Sequence, residues 1–340
     1  MRKFTFISIF IFSCIFSNES LNSFKIYGTT NVGGETEPCG WKKKPLGGLA
    51  RKSAILNKAD EENQTYFVVD AGDLFFKNSS IDPGIQSDLA KISADIIVNA
   101  FNKIGCDAFN VGEKDFAMGL DYLNELKEQS EFPYISANIK NSSGSFIFNP
   151  YKIIERGGIK LGIIGLSSVF KMENIQVDEP IESLKKIVDF VDAQSDFILL
   201  LFNASDNDMN RFHNENLAVD FVIQSKSKKR SNDGGKKETP VYSCGDRGKY
   251  MYEFDFIYNE LGNEFIDIAL HESTIKLMDR KIKNLSNQNS QNENTNPVNT
   301  QEKLDNFTSQ KKEAEDKIAT AINKISVNKI PDFIGKTIKE

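Results

Sequence analysis

Apolar and polar positions along the chain change period several times. Short apolar runs recur at residues 24–27, 66–70, 108–111, 134–137, 161–166, 197–202 and 221–223, bounded by polar or glycine-containing segments. Runs of this length, rich in β-branched and aromatic side chains, read as buried strands. Between several of them, residues 49–59, 87–104, 119–129 and 181–193 carry apolar side chains at helical spacing. Alternation of strand and helix predicts a layered α/β fold. Residues 240–242, 250–257 and 265–271 read as extended segments joined by tight turns at Gly245, Gly248 and Glu260-Leu261-Gly262-Asn263. They predict a closing antiparallel sheet.

After His271 the pattern is helical and charged to about residue 285, and then turns Asn/Gln-rich over about 286–300. Such a stretch buries no core and reads as a linker. Residues 302–325 return to helical spacing through Leu304, Phe307, Ile318, Ile322 and Ile325, with Lys and Glu on the other face. This predicts an amphipathic helix that docks on the body, and it is also a candidate contact for a protein partner. The organisation expected is a leader over 1–20, a main domain over 24–272 and a helical extension over 273–340.

The leader has basic Arg2 and Lys3, an apolar run over 4–16 and then polar residues, the order found in signal peptides. The run is too short to span a bilayer as a helix. Within it, Ile11-Phe12-Ser13-Cys14 resembles a bacterial lipobox, with Cys14 as the acylated residue. This predicts an exported protein of the bacterial cell envelope, anchored to the membrane by lipid. An ordinary signal peptide with an incidental cysteine is the alternative.

Composition narrows the chemistry. A net charge of −6 argues against a nucleic-acid binder. Of the 4 cysteines, Cys39, Cys106 and Cys244 lie outside the leader with no CxxC spacing, so they form neither a zinc site nor a disulfide framework. The chain has only 2 histidines, His213 and His271.

Seven landmarks in order carry a family resemblance: Ile26-Tyr27-Gly28-Thr29-Thr30-Asn31 with Glu37-Pro38-Cys39-Gly40; Pro45-Leu46-Gly47-Gly48-Leu49-Ala50-Arg51; Val68-Val69-Asp70-Ala71-Gly72-Asp73-Leu74-Phe75; Asn110-Val111-Gly112-Glu113-Lys114-Asp115-Phe116; Phe132-Pro133-Tyr134-Ile135-Ser136-Ala137-Asn138; the glycine-punctuated strand over 158–166; and Gly245-Asp246-Arg247-Gly248-Lys249-Tyr250. Together they resemble the calcineurin-like metallophosphoesterase domain of the 5'-nucleotidase branch. The resemblance implies a four-layer α/β/β/α sandwich with two metal ions held by Asp, His and Asn side chains on loops at strand ends. Such a pair would polarise a phosphoryl group and activate a bound water.

Residue by residue, the implied ligands are mostly replaced. The opening Asp-x-His falls on Asn31 and Gly33, while the Gly-Asp motif leaves Asp73 as the would-be bridging ligand. Gly-Asn-His-Glu becomes Gly112-Glu113-Lys114-Asp115, so Lys114 stands where the family has its general-acid His. The His after the strand at 197–202 is Asn203, and the late Gly-His-x-His aligns with Ser225-Lys226-Ser227-Lys228. An ammonium group has no lone pair for a metal. His213 and His271 lie outside the motifs. The resemblance further implies a C-terminal nucleotide-binding domain, for which residues 273–340 are too few, so nucleotide specificity is not expected.

The expectation is a lipoprotein that has kept a metallophosphoesterase-like fold as a binding or scaffold module and has lost catalysis, with no cofactor required. Asp73 is expected to pair with a lysine where metals would sit, because a carboxylate cleft without cations needs compensating charge. Two alternatives stay open. Asp73, Glu113, Asn31 and Asn203 could hold one hard divalent ion through oxygens and support phosphoester hydrolysis, or Lys114, Lys226, Lys228 and Arg247 could form a metal-free anion site.

Overall fold

Phe24, Ile26 and Tyr27 point to opposite faces of the first strand, β1 (Asn22–Thr29), yet all three are buried, because layers cover the strand on both sides. The computed structural model describes residues 22–41, 44–235, 237–291 and 297–330, so the leader and Cys14 lie outside the described residues. A small ribbon, β2 (Cys39–Trp41) and β3 (Lys44–Leu46), leads into helix α1 (Leu49–Glu61). Then come β4 (Tyr66–Asp70), α2 (Ile85–Ile104), β5 (Ala108–Asn110), a 3-10 turn (Glu113–Phe116), α3 (Gly119–Gln129) and β6 (Tyr134–Ile135).

The second half begins with β7 (Ile139–Asn141), β8 (Tyr151–Arg156), β9 (Ile159–Ser167) and β10 (Ile175–Val177). Helices α4 (Pro180–Lys185) and α5 (Val188–Asp192) precede β11 (Phe197–Asn203), α6 (Asp206–Phe212) and β12 (Phe221–Ser225). The described chain closes with β13 (Val241–Tyr242), β14 (Met251–Tyr258), β15 (Phe265–Asp267), α7 (Ile268–Gln291), α8 (Pro297–Thr320) and β16 (Asn323–Ile330).

Two sheets stack face to face. One has seven strands in the order β15-β16-β14-β1-β4-β5-β6, the other five in the order β13-β12-β11-β9-β8. Phe24, Ile26, Phe67 and Val69 of the first sheet meet Leu161, Ile163, Leu199 and Ile223 of the second in the central core. Ala94, Ile97, Val98 and Phe101 of α2 cover the outer face of the seven-stranded sheet together with Leu123 and Leu126 of α3. Leu184, Val188 and Phe212 of α4, α5 and α6 cover the other sheet. The architecture is the α/β/β/α sandwich. Along β1–β4 and β9–β11–β12 the strands are parallel, so their C-terminal ends and the loops that follow gather at one edge.

The C-terminal part departs from the sequence expectation in three ways. First, no separate antiparallel sheet closes the domain. β13 joins the five-stranded sheet parallel to β12, β14 pairs antiparallel with β1, and β15 runs parallel to β16. His271 is on helix α7 rather than on a strand. Second, the stretch expected as a linker over 286–300 is helical at 286–291 and 297–300, where α7 and α8 form a hairpin. Lys311 pairs with Asp279 at 2.8 Å across it, and Lys281 lies 4.8 Å over the Phe307 ring. Packing against a partner helix supplies the stabilisation that the polar composition lacks.

Third, the helix expected over 302–325 ends at Thr320, and the extension is not wholly helical. Ile325 and Val327 belong to β16, which inserts between β14 and β15 with Ile325 opposite Phe256. Asn323 secures the entry, its amide donating to the carbonyls of Glu260 and Asn263, both at 2.9 Å. The segment expected as one helix over 181–193 is also broken, into α4 and α5.

Candidate functional site

The loops after β1, β4, β5, β11 and β12 meet at the shared edge of the two sheets, and Asp115 ties the β4 and β5 loops together. This fully buried side chain accepts N–H groups from Gly112 (2.8 Å) and Asp73 (3.0 Å) on one oxygen, and from Leu74 (2.8 Å) and Phe75 (2.9 Å) on the other. Burial and the nearby Asp73 carboxylate push Asp115 up, to about 8, against donors that favour its anion. Gly112 is required here, because a Cβ would stand 2.5 Å from Asp73 Oδ1 and 2.9 Å from Asn203 Nδ2. Asp73 itself is held at φ 58, a left-handed backbone that few residues other than glycine adopt.

Both oxygens of Asp73 are engaged by residue 114. The Lys114 Nζ donates to Oδ2 at 2.7 Å, and the Lys114 backbone N–H donates to Oδ1 at 3.2 Å. The Asp73 side chain is 1% exposed and the Lys114 side chain 23%. A second ion pair stands beside the first, with Lys226 Nζ donating to Glu113 Oε2 at 2.7 Å. This pair is more open, at 30% and 34% side-chain exposure.

Lys226 also has a left-handed backbone, at φ 68, as do Asn31 at φ 49 and Arg247 at φ 59. Such conformations persist only where the surroundings impose them. Around Lys226 the tie is the Asn31 amide. Its Nδ2 donates to the carbonyls of Gly245 (2.7 Å) and Ser227 (2.9 Å), while its Oδ1 accepts the Lys226 N–H at 2.7 Å. Asn203 donates to Ser225 Oγ at 2.8 Å, and Ser225 Oγ in turn donates to the Ala71 carbonyl at 2.6 Å. The Asn203 Oδ1 accepts the Glu113 N–H at 3.5 Å.

Below the cleft a second buried network supports the β4 loop. Thr29 Oγ1 donates to Asp70 Oδ2 at 2.6 Å and accepts from Lys52 Nζ at 3.2 Å, while the Gly72 N–H donates to Asp70 Oδ1 at 2.9 Å. Lys52 lies 4.1 Å over the Phe101 ring. Burial pushes the Lys52 amine down and raises the Asp70 carboxyl to about 6, despite the opposing charge of Lys52. Asp115, Lys52 and Ser225 had no role assigned from sequence. Asp70 and Asp115 sit inside the landmark motifs, which was the available signal.

Comparison with known proteins places this geometry. No protein-family model matches the chain. The 5'-nucleotidase of Vibrio cholerae is 32% identical over 153 residues, 42% of this chain and 26% of that protein. The trifunctional nucleotide phosphoesterase protein YfkN of Bacillus subtilis is 28% identical over 176 residues, 45% of this chain and 12% of the relative. The crystal structure of calcineurin-like phosphoesterase YfkN superposes with a TM-score of 0.59 at 20% identity, over 72% of this chain and 87% of that one. The 5'-nucleotidase precursor of Thermus thermophilus gives a TM-score of 0.60 at 18% identity, over 72% and 53%.

The fold is that of the 5'-nucleotidase-type calcineurin-like phosphoesterases. The chain spans about a quarter or less of the length of these curated relatives.

A phosphoesterase of this type implies a two-metal centre, and the residues at the cleft do not fit one. Each carboxylate that would ligate an ion has an ammonium group at 2.7 Å. The Asn31 amide is taken up by the backbone of the loop carrying Lys226, and the Asn203 amide bonds Ser225 and the Glu113 N–H. Among the described residues there is no group of three or more His, Cys, Asp and Glu side chains that could hold a metal ion. His213 caps the end of α6 and His271 lies on α7.

Of the four cations considered for an anion site, three are engaged by carboxylates: Lys114 by Asp73, Lys226 by Glu113, and Arg247 by Glu35 at 2.7 Å. Lys228 is exposed. Cys39, Cys106 and Cys244 are free thiols, the last two buried.

Proposed function

We propose that this protein uses a 5'-nucleotidase-type phosphoesterase fold as a binding or scaffold module and does not carry out metal-dependent hydrolysis. One observation carries the reading: the two acidic side chains that would hold metal, Asp73 and Glu113, are each neutralised by a lysine of the same chain at 2.7 Å. A buried carboxylate already paired with an ammonium group offers little to a cation, which would have to displace the lysine and desolvate in its place. The leader motif supports export, with Cys14 as the lipid-bearing residue of an envelope protein. No helix among the described residues is long and apolar enough to cross a membrane. The net charge of −6 speaks against nucleic acid as partner. The α7–α8 hairpin is the candidate contact for a protein partner.

A second reading draws on the relatives, which are named as nucleotidases and nucleotide phosphoesterases. In it, Asp73, Glu113, Asn31 and Asn203 hold one hard divalent ion after the lysines swing out, and the protein hydrolyses a phosphoester.

Elemental analysis of the purified mature protein, with assays of nucleoside monophosphates and a generic phosphodiester across Mg²⁺, Mn²⁺, Ca²⁺ and Zn²⁺, separates the two. The expected outcome is no bound divalent metal and no turnover above that of Asp73→Ala. Metal-dependent turnover abolished by Asp73→Ala would overturn the proposal. Calorimetry with phosphate tests the anion site formed by Lys114, Lys226, Lys228 and Arg247. For the anchor, Cys14→Ala should move the protein from the detergent to the aqueous phase on partition.

A further inference from the structure

The buried network beneath the cleft holds an amine that the cleft does not use. Lys52 is 7% exposed, yet its Nζ makes one hydrogen bond, to Thr29 Oγ1 at 3.2 Å, and no ion pair among the described residues. Its other neighbour is the Phe101 ring, at 4.1 Å. An amine so desolvated sheds its proton readily. Burial pushes Lys52 below the usual lysine value despite the nearby charge of Asp70.

Lys52 also lines a cavity. This space of about 40 Å³ lies between the start of α1, helix α2 and the ends of β14 and β16 that face them. Ile55, Phe101, Met251 and Ile330 give it apolar walls, and Lys52 and Thr29 stand among them. It has room for about three waters, roughly the bulk of a two- or three-carbon molecule. Neither ion pair of the Asp73 cleft borders it.

We propose that Lys52 is an imine-forming lysine that captures a small, apolar aldehyde in this cavity. The step needs no further reactant. The Nζ lone pair attacks the carbonyl carbon, and the carbonyl oxygen then departs as water, carrying both amine hydrogens, as the C=N bond forms. Thr29 Oγ1 accepts from Nζ and donates to Asp70 Oδ2 at 2.6 Å. It thereby links the amine to a carboxyl raised to about 6, a group suited to take a proton from nitrogen and return it to the leaving oxygen. The apolar walls favour a neutral ligand and shield the imine from water.

The test treats the full mature chain at neutral pH with propionaldehyde and cyanoborohydride, which fixes any imine as a propyl amine, and maps the modified lysines by peptide mass spectrometry. Lys52 should be propylated at least about tenfold faster than exposed lysines such as Lys58 and Lys276, since each unit of depression gives about ten times more free amine. In urea that lead should vanish. Thr29→Val should slow labelling of Lys52 by about tenfold or more and leave the exposed lysines unchanged. Lys52→Arg should lose the modified site altogether.

A folded wild type in which Lys52 reacts no faster than the exposed lysines would overturn the proposal, and that readout depends on no variant. Thr29→Val labelled at the wild-type rate would overturn the relay through Asp70.

Discussion

The two sides of the cleft hold their charge by different means. On the side built by the loops after β4 and β5, four backbone N–H groups converge in a cradle on the single carboxylate of Asp115. On the side built by the loop after β12, Lys226 depends on one amide, Asn31, and one carboxylate, Glu113. Asp73 stands between them, with its backbone N–H given to the cradle and its carboxylate given to Lys114. The difference teaches that the frame of a catalytic site and its reactive groups are separable. Asp115 holds the loop frame through main-chain donors, while Lys114 alone answers the Asp73 charge.

Removing the cradle's centre should have the largest effect. Asp115→Ala leaves four buried N–H donors without an acceptor and should cost at least about 4 kcal/mol in urea unfolding. A loss no greater than that of Asp73→Ala would break the comparison.

Next comes the pH dependence of the supporting network. Asp70 has a folded value of about 6, above its ordinary unfolded value. Its protonated form therefore favours the fold, a contribution complete below about pH 4 and lost as pH rises through 6, worth roughly 3 kcal/mol. Subtracting the stability curve of Asp70→Asn from that of the wild type should reveal this downward step. Parallel curves between pH 4 and 7 would show that the carboxyl is not held as described.

Lys114→Met strips the ammonium from a buried carboxylate and should cost about 2 kcal/mol, below the usual penalty for a broken buried pair because Lys114 is partly solvated. Lys226→Met breaks a half-open pair and should cost less than about 1 kcal/mol. An inverted order of these two would mean that the β12 side, not the β4 side, carries the charge balance.

Much of this was legible in the chain. The buried strands and the helices over 49–59, 87–104 and 119–129 announced themselves by period, and the landmark motifs fixed the layered fold, because glycines and apolar runs at strand ends have few structural solutions. That Asp73 would face a lysine followed from the charge a vacated carboxylate needs. The choice of Lys114 rather than Lys226 did not, since it depends on where the 3-10 turn after Gly112 aims its second residue. Asp115 stayed silent because its work is done on backbone groups that every sequence possesses. The C-terminal misreading has a different origin. Ile322 and Ile325 fit a helical period, and only the distant edge of β14 reveals that residues 323–330 are extended, a tertiary effect that local pattern does not carry.

That returning strand bears on the order of assembly. Until β16 arrives, β14 presents an unpaired edge and β15, which hydrogen-bonds to β16, has no neighbour in the seven-stranded sheet. The sheet therefore cannot be completed while the ribosome still holds residues 323–330. A polypeptide trimmed just after α8 would lose an interior strand, second from the sheet's edge, and would expose β14 as an edge prone to pairing with other chains. Completion of the layer thus waits for the emergence of β16.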